Sequence, residues 1–181
     1  MAKMTAVSDS GPLIALAKLG VLYRVFSIYA TLIISETVYR EVVTSGLVIG
    51  ARDAAEVDKF CRSGQIVIFP LGETEEVPLD MPSELHRGEL EAIRVALQIS
   101  ADHLLIDDFD ARQVAERNLL KMSAATTLKG TLGVLIELYQ RESISKSQLK
   151  ECLGEIKKRK DIWISSRLCQ KLILALEAGG L

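Results

Sequence analysis

Residues 5–20, TAVSDSGPLIALAKLG, constrain the fold most: an apolar segment runs into an acid and then, with no loop between, into a helix. Val7 ends the apolar segment and Asp9 stands at its carboxyl end. Ser10 reads as the helix N-cap, and Pro12 suits the first turn, where its missing N–H costs nothing. Leu13, Leu16 and Ala17 follow at helical spacing, and Gly20 reads as the stop. In an open parallel α/β sheet ligands bind at the carboxyl ends of the strands, so Asp9 either serves chemistry there or only caps the helix.

The same alternation continues. VLYRVFSIYA (21–30) reads as a short helix and connector, and TLIIS (31–35) as a β-branched strand. Ser35 caps the helix ETVYREVVTSG, with Val38 and Val42 on its inward stripe, Glu41 at the stripe's edge and Gly46 as its stop. A helix over 51–62 closes at Gly64, and QIVIFP (65–70) is a further strand. Residues 71–88 are acidic and proline-bearing and read as a long surface loop. GELEAIRVALQIS is a helix with Leu90, Ile93, Ala96 and Leu97 on one side. HLLID is a strand running into Asp107, Asp108 and Asp110, and DARQVAERN resumes as helix. Residues 119–130 read as a loop or a poor strand. A helix starts at Thr131, a capping box of Ser145 and Gln148 opens another to about Lys160, and Ser165 or Ser166 opens a last one. This order predicts an α/β fold: one domain with parallel βαβ units, a sheet covered on both faces and a helical C-terminal third.

Composition narrows the chemistry. The 181 residues are 49% hydrophobic and 25% charged with a net charge of −2, so any nucleic-acid contact must be local. The N-terminus lacks the apolar core of a signal peptide and no stretch of membrane-spanning length occurs, which predicts a cytoplasmic protein with no membrane contact. Cys61, Cys152 and Cys169 are odd in number and scattered through helix-like segments, as buried thiols are. With only His86 and His103 besides, any metal here is held by oxygen.

Asp107 and Asp108 end a second apolar strand just as Asp9 ends the first. If the two strands are adjacent and parallel, carboxylates crowd at one sheet edge, where a hard cation such as Mg²⁺ or Mn²⁺ would neutralise them. Successive strand residues face opposite ways, so one of the pair binds metal while the other caps the following helix. Glu89 and Glu91 lie roughly 200° apart around a helix, so at most one of them shares a face with the site. Glu41 is a helix-borne acid of the same kind.

In order and spacing, the segments VSDSGPLIALAKLG, IISETVYREVV, RGELEAIRVAL, HLLIDDFDARQVAE and KGTLGVLIELYQR resemble the PIN domain family over about residues 5–175. That family comprises metal-dependent ribonucleases common as toxins of prokaryotic toxin–antitoxin pairs. The closer likeness is to its subgroup of predicted nucleic-acid-binding proteins. The resemblance implies a three-layer α/β/α sandwich with a parallel sheet and an acidic pocket for Mg²⁺ or Mn²⁺. The family's first acid falls on Asp9, its second on Glu41, its third on Glu89 with Glu91 as the alternative, and its fourth on Asp108 or Asp107. Asp9, Glu41, Glu89 and Asp108 become the catalytic set, and Asp9, Glu89, Asp107 and Asp108 the metal ligands. Asp110, Thr131 and Ser10 would be accessory. The third acid is Glu where the family usually has Asp, one methylene longer. Arg87, Arg112, Lys121 and Lys129 lie near these motifs in sequence and would hold the RNA backbone. The implied activity is endoribonucleolytic, restrained by a small antitoxin; the alternative is a PIN-like nucleic-acid-binding or regulatory module that cleaves poorly. Apolar surface on the C-terminal helices or on 21–30 could also support a homodimer.

Overall fold

The alternation of apolar side chains along the first strand already fixes three layers. In the computed structural model, which describes residues 4–70 and 85–180, β1 (Met4–Ser8) is the middle strand of a parallel sheet ordered β3-β2-β1-β4-β5. Ala6 points into one core, with Leu13, Leu16, Leu135 and Leu153, and Val7 points into the other, with Ile93, Ala96, Val114 and Ala115. Leu105 and Leu104 divide in the same way. Period-two strands buried on both faces need helices on both faces. The remaining strands are β2 (Tyr29–Ser35), β3 (Ile66–Phe69), β4 (His103–Leu105) and β5 (Thr127–Lys129).

One face carries α1 (Ser10–Lys18), α4 (Arg52–Arg62), α7 (Thr131–Gln140), α8 (Lys146–Lys158) and α9 (Ser166–Glu177). The other carries α5 (Arg87–Gln98) and α6 (Phe109–Lys121). The chain winds outward from β1 through β2 to β3, then returns to place β4 on the other side of β1. That reversal between β1 and β4 is a topological switch point, and the crevice beyond the strands' carboxyl ends there is where such sheets bind ligands. Val7 pairs with Leu104 and Ser8 with Leu105, so Asp9 emerges beside the residues leading to Asp107. Among the described residues no helix is long and apolar enough to cross a membrane.

Local chemistry moves several expected boundaries. The cap of α1 is Asp9, whose carboxylate accepts from the Gly11 N–H, and not Ser10, which is the first helical residue. The helix ends as foreseen: Gly20 has φ +67°, and the N–H groups of Gly20 and Val21 reach back to Ala17 and Leu16, a Schellman closure. A 3₁₀ stretch, Leu22–Ser27, leads to β2, which begins before the expected residue 31. From Ser35, which caps α2 (Glu36–Tyr39), the helix continues as a π-helical stretch, Arg40–Thr44, and then α3 (Ser45–Val48). Gly46 is therefore not a stop. A Cβ on it would lie 2.5 Å from the Ala54 Cβ, so glycine there lets α3 approach α4, and the positive φ falls at Gly50.

Arg87 and Gly88, expected to end the loop, open α5; residues 71–84 of that loop lie outside the described residues. The side of α5 marked by Leu90, Ile93, Ala96 and Leu97 understates its burial, since Gly88, Glu89, Glu91, Ala92 and Val95 are buried too. β4 stops at Leu105, before Asp107. The segment 119–130 resolves into the last turn of α6, a turn with Ser123 at φ 49°, and β5, which pairs with β4. The Ser145–Gln148 capping box forms both of its hydrogen bonds, Ser165 caps α9, and α8 stops at Lys158. Cys152 and Cys169 are buried and Cys61 partly so, all three as free thiols; burial pushes Cys61 and Cys152 up to about 11, which leaves them protonated and inert.

Candidate active site

Asp9, Asp108 and Glu89 are placed by strand ends or helix starts, and Glu41 by a helical stretch. Asp9, 7% exposed, caps α1 with its carboxylate beside the Ser10 and Gly11 N–H groups. Burial pushes its carboxyl up to about 6; those two amides pull it down, and Glu89 and Glu41 push it further up. Asp108 caps α6, accepting from the Ala111 N–H at 2.9 Å. Glu89, in the first turn of α5, accepts the His86 N–H at 3.0 Å and so closes its own helix. Its carboxyl is also raised, first by burial, then by Asp108 and Glu41 against the His86 amide. Glu41 sits in the π-helical stretch, where the Ser10 hydroxyl donates to its Oε2 at 2.5 Å. Its carboxylate lies over Gly88, where a Cβ would come within 2.9 Å of Oε2 and would push that carboxylate aside.

These four acids thus influence one another across the crevice. The N-termini of α1, α5 and α6 meet there, and their unpaired amides and positive dipole ends offset part of the repulsion. Among the described residues, no three acidic, histidine or cysteine side chains are grouped closely enough to hold a metal ion, so the acids are electrostatic neighbours without converging on one point.

Asp107 and Asp108 are both used as hydrogen-bond acceptors at helix starts. Both cap, on different helices. Asp107 receives the Thr131 N–H at 2.8 Å on Oδ1 and the Thr131 hydroxyl at 2.5 Å on Oδ2, fastening the start of α7. A Cβ on Gly130 would lie 2.7 Å from Oδ1, so glycine makes that approach possible. Thr131 is fully buried against Asp107. Asp107 still borders Asp9: a Cβ on Gly11 would be 3.8 Å from both the Asp107 Cβ and the Asp9 Oδ2.

Glu91 points away from this group. Arg87 Nε donates to it at 2.8 Å, and although burial opposes ionisation, hydrogen bonding from Thr37, Arg87 and Ser35 holds its carboxyl below the usual range. Asp110 is exposed and, with His86, Glu89 and Asp108, lines a groove of about 330 Å³ between α5 and α6. Arg117 lines it too, a cation that sequence reasoning missed; its signal was the helical spacing Asp110, Gln113, Val114, Arg117 on one face of α6. Of the expected basic rim, Arg87 stands at the start of α5 with its side chain mostly exposed. Arg112 donates to the Ile106 carbonyl at 3.0 Å, and Lys129 is bonded to Glu137. Lys121 is the last residue of α6, at the far end from the Asp108 cap, roughly 18 Å along the axis. Closeness in sequence did not bring it to the acids.

A sequence model for a family described as a PIN domain matches residues 5–178. No curated protein and no solved structure matches the chain.

Proposed function

The chain belongs to the PIN domain family, and from that membership we propose that it is a divalent-metal-dependent endoribonuclease acting through Asp9, Glu41, Glu89 and Asp108. PIN domains are generally nucleases and generally use divalent metal ions. The observation that best supports the reading in this chain is the burial of the Asp9 and Glu89 carboxyls at the switch point of the sheet, where burial first and neighbouring acids second raise both. A scaffold with no use for these acids gains nothing by burying them together.

The donor set fits a hard cation, since the crevice offers carboxylate and hydroxyl oxygens and no thiol. Asp9, Glu89 and Asp108 are the side chains that would hold it, and since they do not converge in this structure the cation would have to draw them together; Asp107 is occupied by Thr131 and assigned to support. When bound, Mg²⁺ or Mn²⁺ supplies Lewis acidity toward a phosphoryl oxygen and acidifies a water. Of the four acids, Glu41 or Glu89 would take the proton from the attacking water. Ser10 orients Glu41 by its hydroxyl, and Arg117 in the same groove offers a guanidinium to the phosphate.

Cleavage of a single-stranded RNA by the purified chain, with Mn²⁺, Mg²⁺ or chelator, tests this reading. Cleavage is expected with the ions and is expected to be lost in chelator. Cleavage that persists in chelator, or none under any condition, contradicts it and favours the poorly cleaving binding module. The biological role we propose is that of a cytoplasmic toxin restrained by a small antitoxin, on the strength of the family resemblance. Growth arrest on expression, relieved by co-expressing a small neighbouring gene, is the expected result; unaffected growth contradicts it.

A further inference from the structure

Trp163, the chain's single tryptophan, is 92% exposed. It is not a loose end. On one side Asp161 is held by Lys18 and Arg159, each at 2.8 Å, and Ile162 is buried; on the other, Ile164 packs against the core and Ser165 caps α9. The backbone at position 163 is therefore pinned from both sides while the indole stands in solvent. A pre-positioned ring loses little freedom on binding.

Two clefts, of about 320 and 550 Å³, meet at this ring, and Asp107 and Ile164 also border both. Asp107 is the neighbour of Asp9 across Gly11, so both clefts lie beside Asp9. The larger is also lined by Phe109, 70% exposed, and by Arg112 and Lys129. Exposed aromatic faces beside an acidic crevice match an extended single strand, since bases stack on aromatic rings whatever their sequence. Leu128 and Leu168 on the floor would also suit a peptide. Arg112 and Lys129 are engaged by the Ile106 carbonyl and Glu137, and it is the two exposed aromatic faces that favour nucleic acid.

We infer that Trp163, with Phe109 in the same cleft, forms a base-stacking subsite that holds single-stranded RNA beside the acids. This rests on RNA being the substrate, as proposed above, and does not depend on the bound metal. Because Trp163 is the only tryptophan, its fluorescence reports on this one position. The probes are a short oligoadenylate and an abasic ribose-phosphate oligomer of equal length, both in chelator so that no cleavage occurs.

Oligoadenylate should quench the fluorescence and the abasic oligomer should not. In anisotropy titrations Trp163→Ala should bind oligoadenylate roughly tenfold more weakly, while Trp163→Phe keeps most of the affinity. Since the side chain is exposed, both variants should unfold at the temperature of the unmodified chain, which separates lost stacking from lost folding. Quenching by both oligomers alike, no quenching, or an unchanged affinity in Trp163→Ala overturns the inference and leaves the cleft to a protein partner. Quenching without metal-dependent cleavage would remove the nuclease reading alone; cleavage without quenching would remove the stacking site alone.

Discussion

Asp9→Asn should destroy metal-dependent cleavage and, in chelator at pH 7.5, make the protein more stable. The loss of activity should be on the order of 10²–10³-fold, because the variant removes an ionised oxygen donor from the centre of the acidic group. The gain in stability follows from the sign of the pKa shift. Burial raises the Asp9 carboxyl from 3.8 to about 6, so the folded chain binds this proton more tightly than the unfolded chain does. The folded state is therefore penalised as pH rises from about 4 through 6, and the penalty is complete above that. That rise corresponds to roughly 3 kcal/mol at most. Asparagine caps a helix as well as aspartate but loses the charge on those amide bonds, so a net gain of about 1–2 kcal/mol is a fairer expectation. For a chain of this size that is a rise of roughly 2–8 °C in melting temperature at pH 7.5, shrinking toward nothing near pH 4. Thermal unfolding at the two pH values checks it, and a variant less stable than the parent at pH 7.5 would show that the carboxylate is structural.

Asp107 should behave in the opposite way. Its alanine variant leaves the buried Thr131 hydroxyl and the first amide of α7 without their acceptor, at a cost of about 3 kcal/mol or roughly 6–12 °C. Asp107→Asn keeps an oxygen for the Thr131 amide and, through its NH₂, a donor for the Thr131 oxygen, so it should melt within a few degrees of the parent and retain most of its cleavage. If Asp107→Asn instead loses cleavage as completely as Asp9→Asn while folding normally, Asp107 is a ligand and the division between clamp and site is wrong. Unfolding curves and cleavage rates of the two variants decide between these outcomes.

The pair of strand-end acids was legible from sequence because an apolar run meeting Asp and then a capped helix has few other meanings in an alternating chain. Adjacency of β1 and β4 was not. It depends on the reversal of winding, which no local pattern encodes. The choice between Glu89 and Glu91 was open because α5 is buried over most of its circumference, so hydrophobic periodicity says little about which side meets the crevice. The division of roles between Asp107 and Asp108 depends on which helix each one starts, and β5, three residues long, is a strand only because β4 pairs with it. The π-helical stretch carrying Glu41 leaves no compositional trace. Lys121 misled because thirteen helical residues carry it to the far end of α6, whereas Arg117 and Trp163 drew no attention because no motif surrounds them.

The most direct measurement is a calorimetric titration of Mn²⁺ into the unmodified chain, Asp9→Asn and Asp108→Asn at pH 7.5, run beside RNA cleavage on the same preparations. The account predicts saturable binding by the unmodified chain, loss of it in both variants, and loss of cleavage in step. Binding and cleavage that survive in both variants, or an unmodified chain that takes up no ion, would contradict it and leave these carboxylates as helix caps.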